Sequence, residues 1–129
     1  MNAAISVIVV DDQAPFRLAA RAVLRRAEGF ELVGEAGNGG EAVTLARDVH
    51  PDVVLMDINM PEMGGIEATR KILAELPETF IILCSTYDVS DLPPDAAASG
   101  ARAYVHKEQL GGKVLRQLWD QRDTSGFVT

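Results

Sequence analysis

Long hydrophobic runs are missing from this sequence. No apolar stretch approaches the roughly 18 residues needed to span a bilayer, and the N-terminus lacks the basic-then-apolar order of a secretory signal. No membrane association is expected, and the reading is a soluble, cytoplasmic protein. Cysteine occurs once, as Cys84, which excludes an internal disulfide and suits a reducing compartment. Its place in the apolar run 80–84 reads as a buried thiol. Basic residues are also scarce: 12 Lys and Arg stand against 19 Asp and Glu, for a net charge of −7. That is the wrong sign for gripping a phosphate backbone, so no direct nucleic-acid binding is expected of this chain. Repeats and low-complexity tracts are absent too.

What is present is the composition of one globular domain. With 129 residues, 47% hydrophobic and 24% charged, the chain can bury a single core without disulfide or metal staples. Short β-branched runs alternate with segments of helical period. Residues 6–10, 53–56 and 80–83 are almost wholly apolar, as strands buried on both faces of a parallel sheet are. Residues 31–36 and 101–106 are more mixed and suit its edges. Between them, Phe16, Ala19, Ala20, Val23, Leu24 and Ala27 recur at helical spacing, as do Ala42, Leu45, Ala46 and Val49. Pro15 fits a first helical turn, and His50-Pro51 stops the second helix. A third helix is predicted over 65–76, and the last carries Val114, Leu115 and Leu118. The reading is an α/β fold, five βα units with helices on both faces of one parallel sheet.

In such sheets ligands sit beyond the carboxyl ends of the strands. Asp11 and Asp12 follow strand one, Asp57 ends strand three, Ser85 follows strand four and Lys107 follows strand five, so all share one rim. Taken singly, each has a plainer reading: Asp12 as a helix cap, Ser85 as a turn residue, Lys107 as a solvated lysine. Together they place three carboxylates beside one ammonium, a local charge of about −2 that favours a bound cation.

The motifs Val9-Val10-Asp11-Asp12, Leu55-Met56-Asp57-Ile58-Asn59-Met60-Pro61, Gly64-Gly65-Ile66, Ser85 and Tyr104-Val105-His106-Lys107 resemble those of response-regulator receiver domains. The likeness covers residues 4–120 and is strongest to receivers of LuxR/NarL-type helix-turn-helix regulators of transcription. It implies a flavodoxin-like doubly wound sheet of order 2-1-3-4-5. Asp57 matches the phosphoacceptor of this phosphorelay family, with a histidine kinase as partner. Magnesium is the implied cofactor, held by Asp12, Asp57 and the backbone carbonyl of Asn59, with Asp11 acting through a bound water and the Asn59 side chain free. Lys107 would face the phosphoryl oxygens, Ser85 would sense them, and Tyr104 would move with Ser85 as the switch. The implied output surface is helix four, strand five and helix five. The resemblance makes the protein a signalling switch that catalyses only its own phosphotransfer and dephosphorylation, not an enzyme with an external substrate. A homodimer is compatible with it.

Several residues depart from the family pattern or need a separate reading. Lys107 is followed by Glu108 where many receivers have proline. Pro93-Pro94 falls where the fourth helix would be under way, so the expectation is a loop over 88–92 and a short helix over 94–99. Gly111-Gly112 weakens the start of the fifth helix. Tyr87, two residues after Ser85, stands by the resemblance where a ring can gate water access to the phosphoryl group, with surface packing as its plainer reading. Met60, Pro61, Gly64 and Gly65 read as a turn needing unusual backbone angles, and His50 and His106 as structural or exposed. Residues 1–121 form the expected receiver, with 122–129 a tail or the start of a linker. Two competing readings are an aspartate-based phosphatase, which would need a second aspartate where Asn59 stands, and a receiver-like binding module that no longer phosphorylates. A flavin carrier is set aside, because Asp11-Asp12-Gln13-Ala14-Pro15 is not a phosphate-cradling loop.

Overall fold

The computed structural model describes residues 3–124 and 126–129. Strands β1 (Ile5–Val10), β2 (Phe30–Ala36), β3 (Val53–Asp57), β4 (Phe80–Ser85) and β5 (Ala103–His106) alternate with helices α1 (Ala14–Arg26), α2 (Gly39–Val49), α3 (Gly65–Glu75), α4 (Asp95–Ala98) and α5 (Gly112–Asp120). All pairings are parallel, in the order β2-β1-β3-β4-β5. This is the doubly wound order expected, with the two mixed segments at the edges.

The period of two in the strands divides the core. Ile8, Val10, Val54, Met56, Ile81 and Leu83 face α2 and α3 through Ala42, Ala46, Ala68 and Ile72. Their neighbours Val7, Val9, Val53, Leu55, Ile82 and Cys84 face α1 and α5 through Ala20, Leu24, Leu115 and Leu118. Every residue of β3 and β4 is buried, so the central strands have no polar face to alternate with. Helical spacing misplaced two positions: Ala19 and Val49 are exposed, and Val43 takes an inward place in α2.

The fourth helix is short, as the proline pair requires. Pro94 caps a helix of 4 residues, and the segment expected as loop contains a 3₁₀ turn, Val89–Asp91. The α2 helix ends on His50 in the left-handed conformation (φ 47°). The end of the chain, at Val128, lies beside β5. Val128 donates to Arg102 O (3.0 Å) and accepts from the Tyr104 amide (2.8 Å), a parallel bridge opposite Ala103. Phe127 packs on the α2/α3 side of the core.

The glycines before α3 have a different role from the one expected. Neither Gly64 nor Gly65 has positive φ; Glu62 does, at 67°. Gly65 is required by close approach, because a Cβ there would overlap the carbonyl oxygen of Asp57. The α3 N-terminus therefore sits directly on the end of β3 and sets where Asp57 stands. Gly65→Ala should destabilise the protein by about 1–3 kcal/mol through overpacking. Gly40→Ala, in the first turn of α2 with ordinary room for a methyl, should stabilise it by about 0.5–1 kcal/mol. Urea unfolding of both variants checks the pair of opposite signs.

Candidate functional site

The carboxyl ends of β1, β3, β4 and β5 meet at one acidic pocket. Asp11, the first residue past β1, is fully buried. Its Oδ1 accepts the Gln13 amide at 2.8 Å and its carbonyl accepts Arg17 Nη1 at 2.6 Å. Oδ2 meets Lys107 Nζ at 2.7 Å and makes no other hydrogen bond. Asp12 is exposed and does not cap α1: Gln13 holds that position without a side-chain bond. Asp57 closes β3, 4% exposed, with Oδ1 3.5 Å from Lys107 Nζ. Oxygens of Asp11, Asp12 and Asp57 lie within 4.8 Å of one another.

The electrostatics follow from that crowding. Burial, then the charge of Asp11, push the Asp57 carboxyl up to about 6 against the opposing pull of Lys107. Burial would lower the Lys107 ammonium, but its bond to Asp11 and the charges of Asp57 and Asp11 outweigh this and raise it, so the cation is secure. Cys84, beside Asp57 in the sheet, is pushed up to about 12 chiefly by burial and is an inert thiol.

A second group of bonds lies over β4 and β5. Tyr104 is buried, its hydroxyl 2.9 Å from Ser85 Oγ, 3.1 Å from Ser85 O and 2.6 Å from Tyr87 O. The phenol has one proton, and its shortest contact is to a carbonyl that can only accept; the Ser85 hydroxyl is then the donor to Tyr104. Ser85 Oγ also accepts the Tyr87 amide at 3.1 Å. Asn59 Nδ2 donates to the Tyr87 hydroxyl at 3.0 Å, so the Asn59 side chain is engaged, contrary to expectation.

The family model described as the response regulator receiver domain matches residues 7–118. The chain belongs to that family. It is 38% identical over 112 residues to the chemotaxis protein CheY of Thermotoga maritima, covering 87% of this chain and 92% of that one. It is 39% identical over 103 residues to the response regulator GacA of Pseudomonas aeruginosa, covering 80% of this chain and 48% of GacA, so it spans about half the length of that relative. The crystal structure of a LuxR-family two-component response regulator from Aurantimonas sp. SI85-9A1 superposes with a TM-score of 0.84 at 30% identity, covering 97% of this chain and 89% of the other.

Receivers are phosphorylated on an aspartate and bind magnesium in an acidic pocket, and this receiver has the donors for it. The set is all oxygen, which suits a hard divalent cation. Asp11 Oδ2 has no hydrogen-bond donor beyond its ionic contact with Lys107, and the Asp57 carboxyl is raised first by burial and then by the charge of Asp11; a cation would offset the negative charge at both. Three features escaped sequence reasoning. Arg17 holds the Asp11 carbonyl, Asn59 reaches Tyr87, and Phe16, read as core, lies with its ring centroid 4.6 Å from Lys107 Nζ. The spacing of apolar residues gives no sign of any of these. His106 caps a 3₁₀ turn through Nδ1, which accepts the Glu108 amide, a structural role. A wide concavity lies at the opposite end of the strands, lined by His50, Glu75, Arg102, Trp119 and Arg122 among others, away from the acidic pocket. No helix among the described residues is long and apolar enough to cross a membrane.

The raised Asp57 fixes a sign. Its ordinary value is 3.8 and its folded value about 6, so the neutral carboxyl favours the fold below about pH 4 and that advantage is lost as pH rises through about 6. Asp57→Asn should therefore stabilise the metal-free protein at pH 8, by about 1–2 kcal/mol after allowing for the solvent-open side of the pocket. The gain should shrink as pH falls toward 4 and vanish in saturating magnesium. Thermal unfolding across that pH range, with and without the metal, tests it.

Proposed function

We propose that this receiver accepts a phosphoryl group on Asp57 from the phosphohistidine of a partner histidine kinase, in a magnesium-dependent reaction. The observation that carries the reading is Asp57 itself: a buried carboxylate at the end of β3, 3.5 Å from one ammonium and crowded by two further carboxylates. In the transfer an Asp57 oxygen forms a bond to phosphorus while the bond from phosphorus to the imidazole nitrogen breaks, and the imidazole leaves with the electron pair. Asp12, Asp57 and the Asn59 carbonyl would hold the metal, with Asp11 acting through a bound water; the ion would neutralise charge on the transferring oxygens. Lys107 orients the same oxygens from the other side.

The Ser85 proton is occupied by Tyr104. To bond a new phosphoryl oxygen, Ser85 has to release Tyr104, and that exchange is the switch step we assign to this pair. The output surface is the face of α4, β5 and α5, where the short α4 makes this receiver distinctive. The receiver unit is residues 1–121. The cytoplasm is the compartment consistent with a kinase partner and a buried free thiol. That a LuxR-family regulator superposes closely supports a role in transcription regulation, with this receiver a switch and not an enzyme acting on an external substrate.

Incubation with magnesium and acetyl phosphate should add about 80 Da by intact mass, and neither the metal-free protein nor Asp57→Asn should gain it. A folded, magnesium-binding protein that takes no adduct would instead be a binding module. Tyr87, tied to Asn59 beside the acceptor, should shield the acyl phosphate from water. Tyr87→Ala is expected to shorten the phosphorylated lifetime severalfold, followed by loss of the adduct after donor removal; an unchanged lifetime would remove that role.

A further inference from the structure

The contact between Phe16 and Lys107 belongs to no part of the chemistry above. Lys107 leaves the end of β5 in a 3₁₀ turn, Lys107–Gln109, and its ammonium must cross the pocket on a flexible four-carbon stem. Its side chain is only 13% exposed. Asp11 lies at 2.7 Å and Asp57 at 3.5 Å, and the ring of Phe16 lies across the ammonium with its centroid at 4.6 Å. Phe16 is fixed in turn: it occupies the first turn of α1 just after Pro15, its amide bonds to Gln13 O at 3.1 Å, and its ring packs against the α1/α5 side of the core.

We propose that Phe16 is a positioning residue for phosphotransfer, holding the Lys107 ammonium over Asp57 with the face of its ring. An aromatic face attracts a cation through its quadrupole and offers no lone pair that competes for the ammonium protons. A carboxylate or carbonyl at the same place would bind Lys107 more tightly and hold it back from the phosphoryl oxygens. Water there would restore its hydration and its rotameric freedom. The ring excludes water, keeps the charge, and lets Lys107 turn from Asp11 toward oxygens arriving on Asp57. The next residue completes the arrangement, because Arg17 anchors the Asp11 carbonyl at 2.6 Å. One helical turn thus places both the cation and the acidic residue it rests on.

This inference rests on the phosphotransfer reading, and its test separates the two. The rate of phosphorylation by acetyl phosphate in saturating magnesium is measured for the parent, Phe16→Leu, Phe16→Met and Phe16→Tyr, each also in a Lys107→Ala background, with thermal unfolding as a check on the fold. Loss of the ring should slow the reaction about tenfold in both aliphatic variants, while Phe16→Tyr stays within about twofold of the parent. In the Lys107→Ala background the aliphatic substitutions should change nothing further, a result that simple loss of packing cannot produce. An aliphatic variant as fast as the parent, or an equal slowing with and without Lys107, overturns the inference while leaving the phosphotransfer reading intact. A parent that takes no phosphoryl group overturns both.

Discussion

The ion triangle of Asp11, Asp57 and Lys107 is the constraint around which the acidic end of this receiver is arranged. Three acidic side chains converge on one pocket, and a single ammonium, 2.7 Å from one and 3.5 Å from another, partly balances them. Asp11, Asp57 and Lys107 each enter from a different strand end, β1, β3 and β5, so the balance exists only when the parallel sheet has closed in its 2-1-3-4-5 order. The remaining negative charge stays unpaid within the protein. That surplus of charge would favour a divalent cation, and it makes the metal-free pocket a locally costly part of an otherwise apolar fold.

A network of hydroxyl groups lies beside that pocket. Ser85 is buried at the end of β4 and Tyr104 on β5 is buried beside it; their hydroxyls are in contact, while the backbone of Tyr104 is bonded to Val128. A single residue therefore touches the site through its side chain and the C-terminal segment through its amide. Tyr87 joins the same group by its amide, carbonyl and hydroxyl.

Much of this was legible in the sequence, and for identifiable reasons. Runs such as Val53–Asp57 and Phe80–Ser85 are buried throughout, so hydrophobicity alone locates them, and strand ends then place Asp57, Ser85 and Lys107 on one rim. Helix faces were less certain where the residue is small or at a terminus: Ala19 and Val49 fit the period yet face solvent, since a marginal apolar side chain does not determine which way a helix turns. Side-chain contacts across elements were not legible. Asn59 with Tyr87, Phe16 with Lys107 and Gly65 against the Asp57 carbonyl are separated along the chain or depend on backbone placement to a fraction of an ångström, and no local pattern encodes them.

The abbreviated α4 changes what kind of motion this face can support. Its ties are few, among them Ala96 N to Pro93 O, Ser99 N to Ala96 O and Ser99 Oγ to Ala96 O. A helix of several turns moves as a rod, carrying its ladder of hydrogen bonds along; a single turn preceded by two prolines has no ladder to preserve. A rearrangement between β4 and β5 in this receiver would be a resetting of turns whose cost is set bond by bond, with a reach limited to the few residues that those turns contain.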